Sequence, residues 1–108
     1  MTGRKIDANQ REIVKCLRNL GVSVFIMSNM GRGCPDLLLS IFGITAIAEI
    51  KDGSKPPSAQ KLTKAQKDFA ANWKGDYYVI RSVEDAINLV STLRMKSNVS
   101  KQMPPCPS

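Results

Sequence analysis

Charged residues stand at the ends of two apolar runs in the middle of the chain. Asp36 follows Pro35 and opens the run LLLSI, while Glu49 and Lys51 close the run ITAIAEIK. Alternate side chains of a strand share a face, so Glu49 and Lys51 project together, and pairing of the two strands brings Asp36 near them. Carboxylates at the edge of a hydrophobic sheet are costly unless a positive ligand binds there. The pattern therefore predicts a site for a hard divalent cation.

The predicted ligands of this cation are all oxygen atoms. Asp36 and Glu49 supply carboxylates and Ile50 supplies its backbone carbonyl, a donor set that suits Mg²⁺ or Mn²⁺. Such a cation can lower the pKa of a water that attacks phosphorus, and it can offset charge on a phosphate. Lys51 could position that water or help to deprotonate it, and could stabilise the developing negative charge. These residue types predict phosphodiester hydrolysis.

The charge balance favours a polyanionic partner. Lysine and arginine total 16 against 9 acidic residues, which gives a net charge of +7 and a pI near 9.6. Nucleic acid is the first candidate for such a chain. The basic residues predicted to hold the phosphate backbone are Arg32, Lys55, Lys61, Lys64 and Lys67.

A first helix is predicted from an N-cap at Asp7 to about Leu20, with Gln10 at the capping-box position. Ile13, Leu17 and Leu20 share its apolar face. Glu12 lies at the border of that face, so it is either an ordinary surface glutamate or an acid that faces the edge of the core.

Three predicted strands follow, at 22–27, 36–42 and 44–51, and a loop spans 52–58. A second helix should begin after Thr63 as N-cap and end at Gly75. Gln66 lies at its capping-box position and on the face of Leu62, Phe69 and Trp73. The glutamine therefore has two open explanations, a capping box or a polar contact in a site.

A short fourth strand at 77–80 and a last helix capped by Ser82 complete the predicted fold. Val83, Ile87, Val90 and Leu93 form the apolar stripe of that helix. The order α-β-β-β-α-β-α predicts an α/β domain with a mixed four-stranded sheet flanked by helices, because a helical crossover favours parallel pairing. Residues 1–96 should form this single domain, and the polar, proline-rich residues 97–108 should be a disordered tail.

The cysteines and the apolar segments exclude several classes of protein. Cys16, Cys34 and Cys106 fit neither a disulfide framework nor a zinc site, and the chain has no histidine. Free thiols suggest a reducing cytoplasm. The N-terminus shows no secretory signal, and the longest apolar region is shorter than the roughly 18–20 residues of a membrane helix. No membrane partner and no nucleotide cofactor are expected.

Three short motifs together resemble the PD-(D/E)XK nuclease superfamily: GCPD at 33–36, EIK at 49–51 and LTKAQ at 62–66. Within it, the chain is similar to the VRR-NUC family and its small stand-alone members in phages and bacteria. The resemblance covers most of residues 7–90. It implies a restriction-endonuclease-like core and metal-dependent cleavage of phosphodiester bonds.

The resemblance also implies roles for single residues. Asp36 and Glu49 correspond to metal ligands together with the carbonyl of Ile50, Lys51 to the catalytic lysine, and Gln66 to a glutamine that supports the site. The acid that many relatives carry on the first helix corresponds to Glu12, which would be a further metal ligand. The short form resembles members that act as homodimers on branched DNA, in the manner of Holliday junction resolvases.

Two other functions stay open on the sequence. A basic nucleic-acid-binding module with structural acids would ignore metal and respond only to salt. A nuclease could also act on linear ends or with sequence preference, although 108 residues show no separate recognition element.

Overall fold

The computed structural model describes residues 8–102, which fold into a four-stranded sheet with helices. The strands are β1 (Ser23–Ile26), β2 (Leu37–Ile41), β3 (Ile44–Ile50) and β4 (Asp76–Ile80). The helices are α1 (Ala8–Asn19), α2 (Pro57–Gln60), α3 (Lys64–Asn72) and α4 (Val83–Gln102). No helix within residues 8–102 is long and apolar enough to cross a membrane.

The sheet is mixed, as the sequence predicts. Its order is β1-β2-β3-β4, with antiparallel pairing of β1 with β2 and of β2 with β3. Strand β4 runs parallel to β3, because α2 and α3 carry the chain across between them. The α/β fold class is therefore confirmed. The added helix α2 is not predicted from the sequence, and it begins within the predicted loop at 52–58.

A two-residue turn sets the register of the β2–β3 hairpin. Phe42 and Gly43 both have positive φ angles, 56° and 78°, which is the geometry of a type I′ turn. Pairing then runs from Ile41 opposite Ile44 to Leu37 opposite Ala48. One pair further along this register, Asp36 comes opposite Glu49. Opposed residues of an antiparallel pair point to the same face, so the hairpin turn brings the two carboxylates together.

The first face of the sheet carries the hydrophobic core. Leu37 and Leu39 of β2, Ala48 of β3 and Ile80 of β4 are all 0–1% exposed and pack under α1 and α4. The helices contribute Ile13, Leu17, Val90 and Leu93 among others. Burial of this apolar surface is the main favourable contribution to folding.

The second face of the sheet is only partly covered. Glu49 alternates with Ala48 and Ile50 along β3 and accepts a hydrogen bond from α3, so α3 lies on this side. Helix α3 has no fully buried residue of its own. Beyond it, Phe25 of β1 is 65% exposed. Helices therefore occupy both faces as predicted, but only the first face is packed throughout.

Two predicted apolar stripes are wrong in detail. Leu20 is 42% exposed, whereas Gln10 and Val14 are buried in α1. In α4, Ile87 is 48% exposed, and the core residues include Ala86 and Leu89 instead. Helices α1 and α4 contact each other as well as the sheet, so packing and not the simple stripe decides which side of each helix is buried.

Two predicted boundaries are also wrong. Helix α3 ends at Asn72 and not at Gly75, because Trp73 takes an extended backbone conformation as C-cap. Helix α4 continues to Gln102, six residues past the predicted end of the domain. The predicted N-cap Asp7 and the last tail residues, 103–108, lie outside the described residues.

Candidate active site

The two acidic side chains of the β2–β3 hairpin end are buried. Asp36 is 6% exposed and Glu49 is 4% exposed. Asp36 Oδ2 accepts a hydrogen bond of 2.8 Å from the backbone N–H of Ile50. This bond holds the Asp36 carboxylate across the end of β3, on the side to which Glu49 belongs.

The Gln66 side chain joins the cap of α3 to the acidic residues. Its backbone N–H donates to Thr63 Oγ1, and its Oε1 accepts from the backbone N–H of Thr63 at 2.9 Å, which completes the predicted capping box. Gln66 Nε2 also donates to Glu49 Oε2 at 3.0 Å. The Gln66 side chain therefore makes both the capping box and a polar contact with Glu49, the two explanations that the sequence leaves open.

Lys51 reaches the same amide from the end of β3. Its Nζ donates to Gln66 Oε1 at 2.9 Å. Its backbone N–H donates to the carbonyl of Ile80, and its own carbonyl accepts from Asn9 Nδ2 at 3.0 Å. Asn9 also donates weakly to the carbonyl of Arg81, so α1 is tied to the ends of β3 and β4 beside the cluster. Asn9 carries no signal in the sequence that predicts this contact.

Two neutral groups respond to the charge of the acidic pair. Burial raises the pKa of the Cys34 thiol, and the charges of Glu49 and Asp36 raise it further. Burial likewise raises the pKa of Tyr77 to about 12, with further contributions from Glu49, Asp36 and Cys34. The direction of both pKa shifts follows from low solvation and nearby negative charge. Cys34 and Tyr77 therefore both lie near the two carboxylates.

The sequence analysis missed Tyr77. Its partner in the parallel pairing is Ile47, two residues before Glu49 on the same face. The phenol oxygen is buried and finds no hydrogen-bond partner among residues 8–102. The segment YYVI is recognisable as a strand from its sequence. Its register with β3 is not, and that register brings Tyr77 beside Glu49.

At this end of the fold, the side chains of α1 that make contacts with strand ends and loops are the amides Asn9 and Gln10, and not the acid Glu12. Glu12 is exposed on α1, whereas Gln10 is buried and its Nε2 donates to Ser28 Oγ at 2.9 Å. No three histidine, cysteine, aspartate or glutamate side chains between residues 8 and 102 are grouped so that they could hold a metal ion. The structure therefore does not bring Glu12 into the cluster of Asp36 and Glu49.

The five predicted DNA-binding residues are all exposed. Lys61 and Lys67 line one open groove of about 500 Å³ together with Arg81, a basic residue that the sequence analysis missed. Lys64 forms an exposed ion pair of 3.6 Å with Asp68. The loop residues Lys55 and Arg32 are also exposed.

The donor set at the hairpin end fits a hard divalent cation. Two buried carboxylates lie at adjacent strand positions, and the Ile50 carbonyl is the third candidate ligand. A pair of carboxylates without a third acidic ligand suits Mg²⁺ or Mn²⁺, because such ions keep several waters in their coordination shell. Thiolate and imidazole ligands, which softer metals prefer, are not part of this set.

Comparison with known proteins gives one clear likeness, at the level of structure. No protein-family profile matches the sequence, and no curated protein is significantly similar to it. A solved structure described as a VRR_NUC domain superposes with a TM-score of 0.58 and 24% sequence identity. The match covers 76% of this chain and 89% of the other. The described helices and strands therefore have the fold of a VRR_NUC domain, as the three sequence motifs predict.

Proposed function

We propose that the chain is a divalent-metal-dependent DNA endonuclease that hydrolyses phosphodiester bonds. The observation that carries this proposal is the hydrogen-bonded cluster of Asp36, Glu49, Lys51 and Gln66. The cluster combines two buried carboxylates and an ammonium group; the Gln66 amide binds Glu49 and Lys51, and the backbone N–H of Ile50 holds Asp36. The VRR_NUC fold supports the same chemistry.

In the proposed mechanism, Asp36, Glu49 and the carbonyl of Ile50 would hold Mg²⁺ or Mn²⁺. When bound, the cation supplies an acidified water for attack on phosphorus and a counter-charge for the phosphate. The hydrogen bond from Ile50 to Asp36 fixes one carboxylate oxygen, so the carboxylate is oriented before metal or substrate arrives. Such fixed orientation lowers the reorganisation that the reaction needs.

Lys51 and Gln66 have complementary roles in this mechanism. The Lys51 ammonium lies 2.9 Å from Gln66 Oε1, and the Nε2 of the same amide binds Glu49, so the ammonium lies beside that carboxylate. There it can orient the attacking water and stabilise negative charge that develops on the phosphate. Gln66 is a positioning residue, because its two ends bind Lys51 and Glu49 and fix their relative placement.

The surrounding basic residues would bind the phosphate backbone of DNA. Lys61, Lys67 and Arg81 line one groove between α2, α3 and the end of β4, and Lys67 directly follows Gln66, which contacts the cluster. Lys55, Lys64 and Arg32 are further exposed basic residues that could contact phosphates. Backbone contacts of this kind carry affinity and position but little sequence preference, which favours a structure-selective nuclease.

We further propose that the enzyme acts on branched DNA as a homodimer. One chain holds one such cluster, and symmetric cleavage of two strands needs two, so a twofold dimer is the simplest assembly. Exposed apolar side chains available for pairing occur at β1 and the loop after it, with Phe25 65%, Ile26 36% and Met30 68% exposed. A second set lies on α4, with Ile87 48%, Met95 66% and Val99 56% exposed.

Cleavage assays on defined DNA substrates test the proposal. Purified protein is incubated with a labelled four-way junction, a flap, a linear duplex and single strands, each with Mg²⁺, Mn²⁺ or EDTA. We expect paired, symmetric, metal-dependent nicks on the junction. Preferential cutting of linear ends would instead indicate an end-directed nuclease.

Matched lysine variants provide the control. Lys51→Ala should lose cleavage, whereas Lys15→Ala, at an exposed position of α1, should retain it. Undiminished cleavage by Lys51→Ala would contradict the assigned site. DNA binding without cleavage in either metal would favour a non-catalytic binding module.

A further inference from the structure

Helix α3 ends in a pair of stacked aromatic rings. The ring centroids of Phe69 and Trp73 are 6.0 Å apart and the ring planes are inclined by 21°. Trp73 is 40% exposed, so one large aromatic surface is presented to solvent. We call Phe69 and Trp73 the aromatic platform.

The platform is held in place by backbone contacts. Trp73 leaves the helix in an extended conformation, and its backbone N–H donates to the carbonyl of Ala70. Its indole Nε1 donates to the carbonyl of Asp76 at 3.2 Å. The indole is therefore fixed before any ligand binds, which reduces the entropy that binding would cost.

A strained loop brings an arginine to the same place. Gly31, Arg32 and Gly33 have φ angles of 70°, 57° and 76°, and a non-glycine residue such as Arg32 rarely adopts this conformation. A Cβ at Gly33 would overlap the carbonyl of Ala65, so glycine lets the loop lie directly on α3. Arg32 consequently borders the platform, and both line an open depression of about 430 Å³.

The depression combines an apolar floor with polar edges. Phe69, Trp73 and Ala65 line it together with Asp68 and Asn72. Asn72 Nδ2 donates to the backbone carbonyl of Asp68, and the Asp68 carboxylate is paired with Lys64. The negative charge is thus offset, and a flat ligand with hydrogen-bonding edges fits the depression better than a simple anion.

The platform lies close to the candidate active site along the same helix. Gln66, which holds Lys51 and Glu49, is three residues before Phe69, a rise of about 4.5 Å along the axis, and Trp73 is roughly 10 Å away. Successive nucleotides of a strand are spaced by about 3.4 Å when stacked. A strand cleaved at the cluster would pass the platform within about one to three nucleotides.

We propose that the aromatic platform and Arg32 bind an unpaired nucleobase of the DNA strand that enters the active site. This inference rests on the proposed nuclease function and adds that one base beside the cut, at the branch point of the DNA, is unpaired when the substrate is bound. Bases inside a duplex expose only their edges in the grooves, whereas an unpaired base offers its face for stacking on an aromatic ring. Arg32 adds a guanidinium that can contact the neighbouring phosphate or the base.

The chain contains one tryptophan, so its own fluorescence reports on the platform. The full chain is titrated in EDTA with an oligothymidylate, with an abasic strand of equal length and charge, and with a blunt duplex. We expect saturable quenching of Trp73 by the oligothymidylate and little quenching by the other two. Equal quenching by all three probes would overturn the proposal, because backbone charge alone would then explain the signal.

Variants measured by the anisotropy of a labelled oligothymidylate provide a second readout. Trp73→Ala should weaken binding by about 5- to 100-fold, which corresponds to the loss of one stacked base. Trp73→Phe keeps an aromatic ring and should stay within a few-fold of the parent chain. Equal affinities of Trp73→Ala, Trp73→Phe and the parent would contradict base stacking.

Because these measurements use EDTA, they do not depend on cleavage. If the oligothymidylate quenches the fluorescence but the protein cuts no DNA, the proposed base-binding site is supported and the proposed nuclease function is contradicted. Metal-dependent cleavage without selective quenching would retain the nuclease and reject the platform as a base-binding site.

Discussion

The two faces of the sheet differ in what they are made of and in how tightly they are covered. The face under α1 and α4 is apolar, with Leu37, Leu39 and Ala48 almost fully buried. The face under α3 carries Glu49 and, by register, Asp36, and the helix above it has no fully buried residue. Both faces belong to the same four-stranded sheet.

This difference indicates a division of roles within one small sheet. Alternation along β3 sends Ala48 and Ile50 to the core and Glu49 to the opposite side. The packed face can therefore supply stability, while the second face keeps buried carboxylates that a stable core would reject. Substitutions on the two faces should consequently affect different measurable quantities.

The largest expected effect is on cleavage, from Asp36→Asn. Asparagine can still accept the hydrogen bond from Ile50, so the fold should persist. Loss of the carboxylate weakens metal binding, and we expect cleavage to fall by roughly 1,000-fold or more, because a metal contributes several kcal/mol to such reactions. DNA affinity in EDTA should be unchanged or improved, since one negative charge near the phosphate is gone.

Asp76→Asn is the matched control for this substitution. Asp76 begins β4, at the end of the strand opposite to the Ile50 and Ile80 pair, and it forms an ion pair with Lys96. Asp76→Asn should leave cleavage nearly unchanged. A large loss of DNA affinity by Asp36→Asn in EDTA would count against the assigned role.

On the packed face, Leu39→Ala should lower the free energy of unfolding by about 2–5 kcal/mol, because it leaves a cavity in the core. The neighbouring side chain of Leu38 points to the second face and is only partly buried. Leu38→Ala should therefore lower the free energy of unfolding clearly less. Urea denaturation of both variants measures the difference. Equal losses would show that the two faces are packed alike.

Gln66→Ala tests whether one amide serves both the helix cap and the site. It should reduce cleavage by about 10- to 100-fold, the usual cost of losing a residue that orients a metal ligand. Thr63→Ala removes the cap oxygen alone and should cost about 1 kcal/mol of stability with little loss of cleavage. Parallel decreases in both variants would mean that Gln66 acts only through the cap.

The smallest expected effect comes from Tyr77→Phe. The Tyr77 hydroxyl is buried without a hydrogen-bond partner among residues 8–102, so its removal should leave stability unchanged or raise it by about 1 kcal/mol. Tyr78→Phe, on the packed face where Lys96 lies over the Tyr78 ring, is the comparison variant. A clear loss of stability in Tyr77→Phe, measured by urea denaturation, would show that the hydroxyl makes a favourable contact.

Local sequence rules were sufficient for the parts of the site that depend on neighbouring residues. The Thr63–Gln66 capping box and the strand break at Gly43 follow from short-range chemistry, and the structure contains both. The mixed sheet also follows, because a helical crossover imposes parallel pairing. The hairpin regularity places Asp36 near Glu49, whereas the contact of Gln66 with Glu49 is only one of two open explanations on the sequence.

Contacts between distant elements could not be predicted in the same way. Tyr77 comes near the two carboxylates only through the register between β3 and β4, and Asn9 reaches the end of β3 through the packing of α1 against the strand ends. The exposure of Ile87 reflects the rotation of α4 against α1. The spacing of Trp73 from Leu62 and Phe69 fits a continuing helix, but Trp73 is the extended C-cap of α3, and its indole N–H donates to the backbone carbonyl of Asp76.

The two-residue turn at Phe42 and Gly43 also limits how this chain can evolve. A single inserted or deleted residue in either strand between the turn and the acidic pair would place one carboxylate on the opposite face, away from its partner. Length variation among descendants should therefore be rare between Asp36 and Glu49. It should be common in the exposed segment at 53–59, which lies outside this paired register.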